Sequence, residues 1–145
     1  MIADVVIANM LRIARQDLDA ALRLANPYNR NAVYLCEQSA EKIIRAVLTS
    51  ENIHAGIKHH LTEMVDLVPD ANPMKPQLRA IQELASYATS YRYTTPAGRI
   101  PNPPSEPEFA AYAQKVETAL AFAVTRFGVT LSVKDLPAQH PGPIR

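Results

Sequence analysis

The sequence predicts an all-α fold, an antiparallel up-and-down bundle of four to five helices. Apolar residues recur at helical intervals through most of the chain. Prolines and a glycine stand where those periods stop. Strand-like alternation is absent apart from a short "VTLSV" near the C-terminus.

The first helix should run from about Ala3 to Ala25, with Val6, Met10, Ile13, Leu18, Leu22 and Ala25 on its apolar side and Pro27 stopping it. Arg12, Arg15, Asp19 and Arg23 then form its polar face. After the turn "NPYN" a second helix spans about Arg30 to Ser50. Its apolar residues, from Ala32 and Leu35 to Ile44 and Val47, cover nearly half the circumference, which marks it as the central helix. A short third helix, about His60 to Val68, carries Leu61, Met64, Val65 and Val68 and ends at Pro69. The fourth opens at Asn72 and Pro73, a capping residue followed by a first-turn proline, and continues to about Tyr91 or Tyr93. Its inward line reads Leu78, Ile81, Ala85, Ala88 and then Arg92. The fifth starts at "SEPE", where Ser105 and Glu108 have capping-box spacing, and runs through Phe109, Tyr112, Val116, Leu120, Ala123 and Phe127 to a closing Gly128. Residues 129–145 read as an extended C-terminal arm, disordered or clasping a neighbour, which leaves 1–128 as the helical domain.

With 145 residues and 48% hydrophobic content the chain can bury one good core but hardly two. A net charge of +1 advertises no extended nucleic-acid or membrane surface, so any polyanion site must be a local cluster. The first residues are apolar but meet Asp4, Arg12 and Arg15 too soon for a signal peptide or a spanning helix, and no membrane association is expected. Cys36 is the lone cysteine, so no internal disulfide can form. Its neighbours Leu35 and Ala40 point to a small buried hydrophobe in a reducing, cytoplasmic setting.

Signatures of common chemistries are missing: no glycine-rich phosphate loop, no paired CxxC, no nucleophile elbow and no metalloprotease helix. No cofactor is called for. Three groups of residues remain to be weighed. On the second helix Tyr34, Gln38, Glu41 and Arg45 share one polar ridge, which is either a solvated face with a Glu41–Arg45 pair or the lining of a cleft or dimer seam. His59 and His60 open the third helix, where adjacent residues diverge by about 100°; Glu63 is one turn from His60, but that spacing alone is a weak metal signal and no metal site is assigned. Arg92, next to Tyr93, continues an inward stripe. It either satisfies the last carbonyls of its helix or is a partly desolvated cation facing an acidic partner or a phosphate, and the proline-stiffened loop with Arg99 would then wall an anion pocket.

Taken together, "AVYLCEQSAEKIIRAVL", "KHHL" and "SYRY" resemble the HEPN domain, the higher eukaryotes and prokaryotes nucleotide-binding domain, over nearly the whole chain to about Phe127. Arg45 takes the family's basic place in the second helix, His59 its histidine, and Arg92 with Tyr93 its Arg-Tyr pair, here followed by Thr94 where proline is usual. The resemblance implies a bundle of four or five helices, commonly a homodimer, and a cleft for nucleotide or RNA; a face of the second or fifth helix is the expected seam. It also implies a minimal nucleotidyltransferase as partner in a toxin–antitoxin pair. Ribonuclease members carry an Arg followed, after four to six residues, by a His that serves acid–base chemistry. From Arg92 those positions hold Ala97, Gly98 and Arg99. The resemblance therefore implies a binding module, with a ribonuclease built unusually on His59 or His60 with Arg92, and a purely structural dimerisation module, as the alternatives.

Overall fold

Five α-helices and one 3-10 helix make up the computed structural model, which describes residues 2–57, 60–87 and 93–139. They are α1 (Ile2–Arg23), α2 (Asn31–Ser50), α3 (Leu61–Leu67), α4 (Lys75–Ile81), the 3-10 helix Gln82–Tyr87 and α5 (Glu106–Arg126). The described residues form no strand, only an isolated bridge between Ala25 and Tyr28 in the first turn. The expected all-helical bundle is what the chain forms.

Helices α1 and α2 make an antiparallel hairpin. The buried stripe of α1 is Ile7, Leu11, Ala14, Leu18 and Ala21, a regular three–four spacing. Leu18 lies where the sequence placed it, whereas Val6, Ile13 and Leu22 are exposed and their neighbours Ile7, Ala14 and Ala21 are buried instead. Small residues at the contact let the two backbones approach closely enough for Ser39 Oγ to donate to the Ala14 carbonyl at 2.8 Å. Lys42 spans the same seam to Asp17 at 2.6 Å. Residues of α2 are buried or half-buried at every position after Asn31. The half-buried positions, Tyr34, Leu35, Gln38, Lys42, Arg45 and Thr49, share one face, so the polar ridge lies on the part-exposed side of the helix.

Helix α5 closes the bundle antiparallel to α1. At its start Tyr28 donates to the Pro104 carbonyl at 2.8 Å and packs on Phe109, with ring centroids 5.8 Å apart. Halfway along, Arg15 of α1 grips both oxygens of Glu117, at 2.9 and 2.7 Å. The capping box forms: Ser105 Oγ accepts from the Glu108 amide while Glu108 returns a carboxylate to the Ser105 amide. At the other end Gly128 takes φ +55°, with its amide on the Thr125 carbonyl and the Val129 amide on the Val124 carbonyl, a Schellman stop.

The fourth helix differs from its sequence reading at both ends. It begins at Lys75, because a start at Pro73 would put Pro76 in the second turn, where a missing N–H costs a helical bond; from Lys75 the same proline falls in the first turn. Asn72 instead makes a buried turn, accepting from the Met74 amide at 2.9 Å and donating to Glu51 Oε1 at 2.8 Å, which ties the entry of α4 to the end of α2. After Ile81 the chain tightens into the 3-10 helix. The inward residues Leu78, Ile81, Leu84 and Tyr87 are spaced by three, as three residues per turn requires, and Ala85 also packs on the core; Ala88, the next residue of the expected line, lies outside the described residues. Tyr87 meets Tyr112 of α5 edge-on, centroids 5.6 Å apart.

Residues 129–139 carry no helix and fold back along α1. Arg12, expected on the polar face, is only 7% exposed. Its guanidinium donates to the Thr130 carbonyl (3.2 and 2.8 Å), the Leu136 carbonyl (3.0 Å) and Asn9 Oδ1 (2.8 Å). The Ala138 amide reaches the Asp4 carbonyl, and the Gln139 amide the Phe127 carbonyl. Because charged donors to buried carbonyls contribute about 1.5–3 kcal/mol each, Arg12→Ala should lower unfolding free energy by about 2–4 kcal/mol. Urea denaturation measures the loss, and faster amide exchange at Ala138 and Gln139 would locate it in the arm.

Candidate nucleotide-binding cleft

Helix α2 positions the polar residues that the sequence singled out. Tyr34, Gln38, Glu41 and Arg45 follow one another by four, three and four residues, so they occupy one line along the helix. Glu41 is 9% exposed, and its Oε1 stands 3.9 Å from Arg45 Nη2, within ion-pair range but beyond hydrogen-bond length. Gln38 Nε2 donates at 2.9 Å to Glu37, whose side chain is all but enclosed. Glu37 was missed in the sequence, although it stands one turn before Glu41 and three residues after Tyr34. The ridge is thus a line of internal polar groups with two carboxylates in its middle.

An arginine stands at each end. At the N-terminus of α2, Arg30 occupies the cap position without capping, since Asn29 does that work by accepting the Asn31 and Ala32 amides at 2.8 and 2.9 Å. Arg30 Nη2 is buried with no hydrogen-bond partner. Toward the C-terminus, Arg45 borders a cavity of about 250 Å³ that also touches Met10, Leu48, Thr49, Ile53 and His54. Local geometry builds that cavity. Asn52 adopts φ +58°, with its amide on the Thr49 carbonyl and the Ile53 amide on the Leu48 carbonyl. The chain turns back at that stop, and His54 comes to line the same hollow as Arg45.

A family model, that of the HEPN domain, matches residues 7–124. The chain belongs to the HEPN domain family. No curated protein and no solved structure gives a significant match. Of the remaining sequence candidates in this HEPN domain, His60 and Tyr93 fall on described residues. His60 stands exposed at the cap of α3, where its carbonyl accepts the Met64 amide and its side chain makes no cap bond. Tyr93 is 64% exposed. Arg92 and His59 lie outside the described residues. Among the described residues no three His, Cys, Asp or Glu side chains gather as a metal site, and no helix is long and apolar enough to cross a membrane.

Cys36 faces the core of the HEPN bundle with no exposed surface. Burial, followed by the charge of neighbouring Glu37, pushes its thiol up to about 12, so almost no thiolate exists near neutrality. A disulfide reagent such as DTNB should leave Cys36 unmodified in native buffer at pH 8 and label it fully in 6 M guanidinium. Rapid labelling of the folded protein would contradict this burial.

Proposed function

We propose that this HEPN domain is a nucleotide- or RNA-binding module of the cytoplasm, working as a homodimer beside a nucleotidyltransferase in a toxin–antitoxin-like pair. The observation that carries the reading is the enclosed polar line of α2. Groups as costly to bury as Glu37, Glu41 and Arg45 are retained where an apolar face would pack more simply. Such retention favours a built recognition cleft over an inert bundle. The ligand-facing residues we assign are Tyr34, Gln38, Glu41 and Arg45 on α2, together with the sequence candidates His59, His60, Arg92 and Tyr93.

Isothermal titration with the nucleoside 5′-phosphates and a short single-stranded RNA tests the binding. Saturable heat with at least one of them is expected, with the RNA intact afterwards on a gel. Absence of heat across the whole panel defeats the reading, and shortened RNA would transfer it to the ribonuclease class.

For the dimer, the seam we assign is α5. Its exposed line Ala111, Gln114, Thr118, Ala121 and Thr125, with Phe122 beside it, has three–four spacing and no charge, as helix-to-helix packing requires. Thr118, Ala121, Phe122 and Thr125 border a shallow hollow of about 500 Å³. Sedimentation equilibrium should give a dimer for the wild type and a folded monomer for Phe122→Glu. A wild-type monomer at high micromolar concentration would refute the assembly.

A further inference from the structure

Arginines that border the hollows of this molecule are for the most part matched. Between α1 and the C-terminal arm, Arg12 is committed to Asn9 and two backbone carbonyls, and Arg15 to Glu117 and Asp19. Arg45 stands 3.9 Å from Glu41. Arg126, beside the hollow on the outer face of α5, differs. Its Nε is enclosed without a hydrogen-bond partner, and its guanidinium, 6.0 Å over the Phe127 ring, meets no carboxylate or carbonyl among the described residues. Serving its own helix end would be the ordinary role of such a cation. That role is filled by others: the Val124, Thr125 and Phe127 carbonyls already accept from the amides of Val129, Gly128 and Gln139.

Helical periodicity supplies a complement on the same helix. Glu108 precedes Arg126 by 18 residues, which at about 3.6 residues per turn is five whole turns, so both lie on the Phe122 side of the uncharged seam line from Ala111 to Thr125. Glu108 is exposed; its Oε1 serves the capping box with Ser105, and no cation pairs with it among the described residues. Within one molecule the two charges stand about 27 Å apart along the axis and cannot meet. A two-fold axis brings them together. When two copies of a helix run antiparallel in a symmetric pair, each flank faces the same flank of the other copy. With the axis near Thr118, the midpoint of the seam, Arg126 comes level with the partner's Ala110, less than one turn from the partner's Glu108. A parallel pair would instead set the acidic starts, Glu106 and Glu108, beside their own copies and Arg126 beside the partner's Arg126, with the helix dipoles aligned unfavourably.

We infer that two copies of this chain pair through antiparallel α5 helices and that Arg126 of each protomer meets the partner's Glu108, giving two reciprocal ion pairs beside an uncharged strip. The inference rests on the homodimer reading above and adds its orientation and its charge contacts. Each copy supplies the acceptor that the other copy's Arg126 lacks.

Sedimentation equilibrium of the full chain tests it with charge reversals, circular dichroism checking that each variant folds. Arg126→Glu sets like charges against each other in both pairs, and so does Glu108→Lys; each should weaken the dimer about tenfold or more. An equimolar mixture of the two variants should recover to within about threefold of the wild type, because their heterodimer joins opposite charges in both pairs. Glu108→Gln keeps the capping-box pattern and removes the charge alone, so it should weaken the dimer about threefold even where Glu108→Lys disturbs the helix start. A dimer that Arg126→Glu or Glu108→Gln leaves unchanged overturns the pairing and leaves the homodimer reading standing. Weakening by both reversals without recovery in their mixture overturns the antiparallel register. A wild type that stays monomeric at high micromolar concentration removes the homodimer reading and the pairing with it.

Discussion

Enclosure of α2 is the constraint on which the rest of the structure depends. A helix left with only one narrow, half-buried face has little surface on which to keep its polar residues wet. Its apolar positions fill the core, and each polar side chain must find a partner inside the molecule or at a cavity wall. Ser39 turns to a carbonyl of α1, Lys42 to Asp17, Gln38 to Glu37, and Arg45 to Glu41 and the hollow beside it. The other helices are arranged to supply that enclosure.

The same constraint sorts charge along the helix. Buried carboxylates, Glu37 and Glu41, occupy the middle of the polar line, and arginines stand toward its ends, Arg30 with a buried Nη2 and Arg45 at a cavity wall. Electrostatic attraction in a partly enclosed site exceeds that in water, so small differences in exposure decide where an anion can rest. A HEPN domain of this composition, nearly neutral overall, therefore holds its positive potential in local places and not as a basic surface.

Features written over a few adjacent residues were legible in the sequence. Ser105 with Glu108, Gly128, and the apolar quartet of α3 all appear where their spacing places them, because their partners lie within one helical turn. The entry of α4 depended on two prolines competing for one first turn, and counting from Asn72 alone chose the wrong one. The 3-10 helix hid behind residues that also satisfy a helical period. Beyond local range the signs are fewer. Arg12 looks like any surface arginine until a carbonyl 118 residues later is brought to it. His54 joins Arg45 only because Asn52 takes a left-handed backbone, which a lone asparagine does not announce.

The clasp around Arg12 also bears on timing. Helix α1 leaves the ribosome before the arm, yet the carbonyls that receive its guanidinium belong to residues 130 and 136, and the Asp4 carbonyl waits for the amide of residue 138. Synthesis adds about 5–20 residues each second, so for several seconds the first helix exists without its last contacts. During that interval Arg12 stays solvated, and the surface later covered by the arm stays open. The nascent chain can assemble its hairpin early but acquires its locked form only once residues 130–139 have followed.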